Sequence, residues 1–163
     1  TLNGGYIMRA WYDIAAAGTD INKREDEAGL RLSQQQIEAL IARENARGIA
    51  TDKIILAGFS QGCAMSLQTG LRHPQKLAGI MGLSGYVPLA DKVGEERHVA
   101  NQNTSIFLVH GTVDPVIPIQ RAQQSRDLLI SLGYPVEWHD YWMQHSVAPQ
   151  EIIDIGNWLR KVL

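Results

Sequence analysis

Ser60, Asp114 and His145 are the side chains whose types and surroundings could together make a nucleophile. Ser60 stands in Gly58-Phe59-Ser60-Gln61-Gly62, after the apolar run Ile54-Ile55-Leu56-Ala57 and before a helical pattern. This is the context of a nucleophile elbow, a strand-to-helix turn so tight that its backbone is strained. Glycine at 58 and 62 is expected to let strand and helix approach without a Cβ clash. The turn lifts the hydroxyl clear and aims the N–H of Gln61, at the helix start, towards an oxygen that becomes negative when serine attacks a carbonyl.

A serine hydroxyl is a poor nucleophile at neutral pH, so this chemistry requires a histidine to take its proton and a carboxylate to orient that histidine. The run Ser105-Ile106-Phe107-Leu108-Val109-His110-Gly111 reads as a strand, and Pro115 and Pro118 stop it soon after. Asp114 then lies just past a strand's C-terminal end, the edge where open α/β sheets keep their chemistry. Val136 to Tyr141 reads as another strand, followed by the loop Trp142 to Val147, which holds His145. Each of the three residues follows a separate strand in the order Ser, Asp, His.

Each has a plainer reading. Ser60 could be an ordinary turn serine, and Asp114 a turn aspartate of Asx type before Pro115. Asp52 fits a turn and Asp140 a strand interior. Among the other histidines, His73 suits a helix C-terminus, His98 sits in a polar stretch and His139 falls mid-strand. His110 is the strongest rival to His145, as a group behind Asp114. Cys63 reads as a small buried hydrophobe under the elbow.

The elements that must position these residues alternate between strand and helix, which predicts an α/β fold with a mostly parallel sheet and helices on both faces. Helical spacing covers Leu32 to Ile41, Gln61 to Arg72, Ile119 to Leu132 and Pro149 to Leu163. Leu77 to Leu83 is a further apolar run, and Asp91 to Asn103 reads as a loop. No repeat or low-complexity linker divides the chain, so residues 1–163 read as a single domain.

Asn3-Gly4-Gly5, Ala10-Trp11-Tyr12-Asp13-Ile14, the elbow, Leu83-Ser84-Gly85-Tyr86, His110-Gly111-x-x-Asp114-x-x-Ile117-Pro118 and His145 resemble the carboxylesterase/lysophospholipase group of the α/β-hydrolase superfamily. That group includes bacterial carboxylesterases and acyl-protein thioesterases. The resemblance runs from Thr1 to Leu163. It implies Ser60 as nucleophile, Asp114 as orienting acid, His145 as general base, and the Gln61 N–H in the oxyanion hole. It also implies hydrolysis of carboxylic or thio esters with no metal and no organic cofactor. Trp11 and Tyr12 are expected to shape an acyl pocket, and Val87, Leu89, Val116, Ile117 and Val147 flank the catalytic loops as candidate substrate contacts.

The group carries a His-Gly-x-Gly-type loop ahead of Asn-Gly-Gly, and the sequence has no such loop before Asn3. The chain is therefore expected to be N-terminally truncated relative to the group, without its first strands and second oxyanion donor, a role for which Gly4-Gly5 is a weak substitute. Losing one such donor typically costs about 10²- to 10³-fold in kcat. The rival expectation is an incomplete or non-catalytic fragment that acts as a binding module or as one half of a split enzyme.

Composition excludes several classes. The 163 residues are 45% hydrophobic and 20% charged with a formal net charge of −2, which is ordinary for a soluble domain and argues against nucleic acid. The apolar runs are too short to cross a bilayer, so no stable membrane insertion is expected. A single cysteine forbids an intrachain disulfide and favours a reducing compartment, hence a cytoplasmic location. The expected partners are a small-molecule ester and, for assembly, a second copy or a complementing N-terminal fragment.

Overall fold

The computed structural model describes residues 9–14 and 25–163; the expectation for Asn3-Gly4-Gly5 falls outside them. Four strands, β1 (Ile55–Phe59), β2 (Gly79–Leu83), β3 (Ser105–Gly111) and β4 (Val136–Tyr141), form one parallel sheet in chain order. Its register pairs Phe59 with Leu83, Leu83 with Val109 and Gly111 with Tyr141, so the C-terminal ends of all four strands share one rim.

Alternation along each strand sends side chains to two cores. Ile80, Ile106 and Leu108 face the helices α1 (Glu27–Ala46), α2 (Gln61–Gly70) and α4 (Ile119–Ser131), meeting Ile41, Leu67 and Leu129. Met81, Phe107 and Val109 face α5 (Pro149–Val162), whose Trp158 is almost wholly buried. Helices thus cover both faces, as the alternating pattern predicted. Gly79 allows this closeness, since a Cβ there would lie 2.5 Å from the Trp158 ring.

Two elements differ from the sequence reading. Helix α1 begins five residues earlier than Leu32, because the Asp26 side chain accepts the Gly29 N–H at 2.9 Å and caps it. The stretch Asp91 to Asn103 is not a plain loop. It holds a short helix α3 (Val93–Glu96) between two 3-10 turns, Ala90–Lys92 and Val99–Asn101. These pieces are too short for periodicity to reveal, and side chains secure them. Buried Asn101 donates to the carbonyls of His73 and Gln75 at 2.8 and 2.9 Å and accepts the Leu77 N–H at 2.9 Å. Glu96 pairs with Arg31 and, at 2.6 Å, with Arg72.

Strand β1 is paired on one side only among the described residues. Along it runs an apolar groove of about 270 Å³, lined by Trp11, Ile37, Ile41, Ile55 and Met65 among others.

Candidate active site

The elbow forms as its residues require. Ser60 has φ 57° and ψ −117°, a left-handed conformation that costs a non-glycine residue about 1 to 3 kcal/mol. Its N–H donates to Leu83 O at 2.9 Å, which holds the turn against β2. The tight approach occurs at Gly58, where a Cβ would lie 2.1 Å from the carbonyl carbon and oxygen of Gly62. The expectation for Gly62 itself is corrected, because a Cβ there would meet nothing within 4 Å. Gly62 contributes the backbone that Gly58 must admit. Cys63 is buried beneath the turn, near enough to Gly85 that a Cβ on that glycine would lie 2.5 Å from its sulfur. Burial pushes the Cys63 thiol up to about 12, well out of the reactive thiolate range.

Asp114 occupies the turn after β3 with its side chain fully enclosed. Its Oδ1 accepts the N–H groups of Val116 and Ile117 at 2.8 and 3.0 Å, an Asx arrangement. Its Oδ2 lies 2.7 Å from His145 Nδ1. Burial alone would raise this carboxyl, but the hydrogen bonds from His145, Ile117 and Val116 outweigh it and hold Asp114 below the usual carboxylate range. The turn-aspartate reading and the orienting role therefore coexist, one on each oxygen.

His145 reaches over the rim from the loop after β4, with Nε2 at 2.9 Å from Ser60 Oγ. Nδ1 takes the proton in this arrangement, because it faces the carboxylate, which leaves Nε2 free to accept from the serine. The Phe59 ring packs against the imidazole, with centroids 4.7 Å apart and planes tilted by 50°. The sequence reading did not single out Phe59. Its position in the elbow motif was visible, but a ring contact 86 residues away carries no local signal.

His110, the rival base, is fully buried and its Nε2–H donates to Ile117 O at 2.8 Å. Burial lowers it, so it stays neutral and braces the turn that carries Asp114. His73 meets Glu38 at 2.6 Å, and His139 lies in β4.

The expected substrate contacts divide into two sets. Trp11, Val116 and Val147 are exposed at 39%, 63% and 44%. Tyr12, Val87, Leu89 and Ile117 are buried; Val87 belongs to the core under α4, and Leu89 and Tyr12 pack with Leu30 and Met65. Trp11 also lines the groove along β1, which reaches Gly62 but does not include Ser60. Tyr12 and Tyr86 share a buried hydroxyl pair at 2.9 Å, and the Arg121 guanidinium sits 3.4 Å from the Tyr86 ring centroid.

A hydroxyl, an imidazole and a carboxylate in one hydrogen-bonded line, at the rim of a parallel sheet covered on both faces, define an α/β hydrolase. The Phospholipase/Carboxylesterase family pattern matches residues 1–163. Acyl-protein thioesterase 1 of Yarrowia lipolytica is 43% identical over 164 residues, covering 99% of this chain and 72% of the relative. The same-named protein of Gibberella zeae is 40% identical over 169 residues, covering 100% and 72%. The crystal structure of Arabidopsis thaliana SOBER1 superposes with a TM-score of 0.90 at 28% identity, covering 98% of this chain and 76% of that one. The chain belongs to the phospholipase/carboxylesterase family of hydrolases, which act on esters and thioesters. Among the described residues no helix is long and apolar enough to cross a membrane.

Proposed function

We propose that the chain hydrolyses carboxylic esters or thioesters by two-step acyl transfer, with Ser60 as nucleophile, His145 as general base and Asp114 as orienting acid. The observation that carries this reading is the unbroken line from Ser60 Oγ to His145 Nε2 at 2.9 Å and from His145 Nδ1 to Asp114 Oδ2 at 2.7 Å. His145 takes the Ser60 proton as the hydroxyl adds to the carbonyl carbon, and the Asp114 carboxylate stabilises the resulting imidazolium. The Gln61 N–H and the start of α2 meet the developing oxyanion. The imidazolium then protonates the leaving alcohol or thiol, and a water activated by His145 releases the acid.

Exposed Trp11, Val116 and Val147 are the proposed contacts for the substrate's apolar part, while Tyr12, Val87, Leu89 and Ile117 are buried. The names of the relatives support a thioester of an acylated protein as one substrate. The reading treats residues 1–163 as one domain working in a reducing compartment such as the cytoplasm, supported by the single buried thiol.

A second reading, in which the chain works with a complementing segment or a second copy, is favoured by the β1 edge, unpaired among the described residues, and by the apolar groove along it. One experiment tests the first reading. A fluorophosphonate probe should label Ser60, and Ser60→Ala should abolish both labelling and turnover of a p-nitrophenyl ester. Turnover near wild type in that variant removes Ser60 from the mechanism.

A further inference from the structure

Residues 11–13 belong to no helix or strand, yet their peptide groups are closely matched by side chains from elsewhere. The Trp11 N–H donates to Gln61 Oε1 at 3.1 Å, and Gln61 Nε2 donates to Tyr12 O at 3.1 Å. The Ser33 hydroxyl of α1 donates to Trp11 O. The Asp13 N–H donates to Asp26 Oδ2 at 2.8 Å, on the carboxylate that caps α1. Backbone groups without a ladder partner must be satisfied in some other way, and here the cap and body of α1 and the first residue of α2 supply the partners.

Gln61 has the most constrained part in this arrangement. A carboxamide has an acceptor at one end and a donor at the other, and only one orientation suits a neighbouring N–H and C=O. Turning the amide over would set NH₂ against the Trp11 N–H and oxygen against the Tyr12 carbonyl. Gln61 is also the first residue of α2, directly after Ser60. Its main chain and its side chain therefore face different tasks.

From this geometry we infer that the Gln61 side chain is a positioning residue, a clamp that fixes the Trp11–Tyr12 segment, with the proposed substrate contact Trp11, against the start of α2 and so sets discrimination by acyl length. The inference rests on the proposed serine chemistry only for its catalytic consequence, and the clamp itself stands on the hydrogen bonds. Tyr12 extends the clamp inward through its hydroxyl contact with Tyr86. Removing the carboxamide loosens the segment, which Ser33 and Asp26 still hold, while α2 still begins at position 61.

Two measurements on the full chain test it. Hydrogen exchange at the Trp11 amide should accelerate in Gln61→Ala by about five- to tenfold, the amount one hydrogen bond supports. In Gln61→Glu, which keeps an acceptor for that N–H but sets a carboxylate oxygen against the Tyr12 carbonyl, exchange should also stay faster than wild type. Unchanged exchange in Gln61→Ala overturns the clamp. The kcat/KM ratio for p-nitrophenyl octanoate over acetate should shift in Gln61→Ala and in Trp11→Ala in the same direction. The double variant should shift it no further than the larger single change, since both act through one segment. Equal loss on both esters, or additive shifts, overturns the specificity role. If Ser60 takes no fluorophosphonate label while Trp11 exchange still depends on Gln61, the serine chemistry fails and the clamp survives.

Discussion

Gly111 and Met143 press together at the rim, where a Cβ on Gly111 would lie 2.4 Å from the Met143 carbonyl oxygen and 2.5 Å from that of Gln144. Gly111 ends the strand that leads to Asp114, and Met143 and Gln144 lead to His145. The Val113 N–H also donates to Met143 O at 3.3 Å. The acid turn and the base loop are therefore in backbone contact, and the 2.7 Å bond between Asp114 and His145 depends on it. Gly111→Ala should push the base loop away. Overpacking of this kind costs about 1 to 3 kcal/mol of stability, and a displacement near 1 Å lowers kcat by about 10²-fold. Ester kinetics beside a thermal melt check this, and a variant with wild-type kcat would show that the contact does not position His145.

Asp114→Asn keeps an oxygen for the Val116 and Ile117 N–H groups but turns an NH₂ towards His145 Nδ1. The imidazole must then carry its proton on Nε2, where it can no longer accept from Ser60. The expected loss is about 10⁴-fold in kcat, as for the equivalent change in serine proteases. Circular dichroism should show a fold close to wild type. A loss below tenfold would mean that Asp114 serves the turn alone.

Phe59→Ala removes the ring that backs His145 at 4.7 Å while leaving the serine and its turn in place. Aromatic contacts of this kind are worth about 0.5 to 1.5 kcal/mol. A three- to tenfold fall in kcat with little change in KM is the expected result. Steady-state kinetics on a short ester, where the leaving group makes few contacts, read it most directly.

Acid stability should depend on Glu96. Hydrogen bonds from Arg31 and then Arg72 hold its carboxyl at about 2, below the ordinary 4.5. A carboxyl lowered by folding stabilises the fold when ionised. That contribution is complete above about pH 4.5 and fades as pH falls towards 2. Glu96→Gln should therefore melt earlier at pH 7, by about 1 to 3 kcal/mol for leaving the enclosed Arg72 without its carboxylate. Its melting temperature should also fall less steeply than wild type between pH 4.5 and 2. Parallel slopes for the two proteins would remove Glu96 from the acid response.

Much of the site was legible in the chain because its signals are local. The elbow needs glycine at a fixed offset from Ser60, Pro115 and Pro118 end a strand beside Asp114, and the stretch before His145 is rich in β-forming residues. The helix start at Asp26 was also local, but its cap lies outside the apolar repeat that marks the helix body. The short helix at Val93–Glu96 carried no period at all and exists through Asn101 and Glu96, whose partners lie elsewhere in sequence.

An alternating α/β chain with a serine, an aspartate and a histidine on three rim loops, after the first, third and fourth strands, is written in local signals, because strand content, turn residues and order are properties of neighbouring residues. Tertiary packing sets the geometry that sequence order leaves open, with His145 at 2.9 Å from Ser60 and His110, the rival, buried against Ile117 O. It also decided that Val87 and Leu89 are core residues, that Phe59 backs the imidazole and that Gln61 holds Trp11 and Tyr12. The contacts of His145 with Ser60 and of Gln61 with Trp11 span tens of residues. They arise when parallel strands align their C-terminal ends, a register that long-range packing selects and no short stretch of chain encodes.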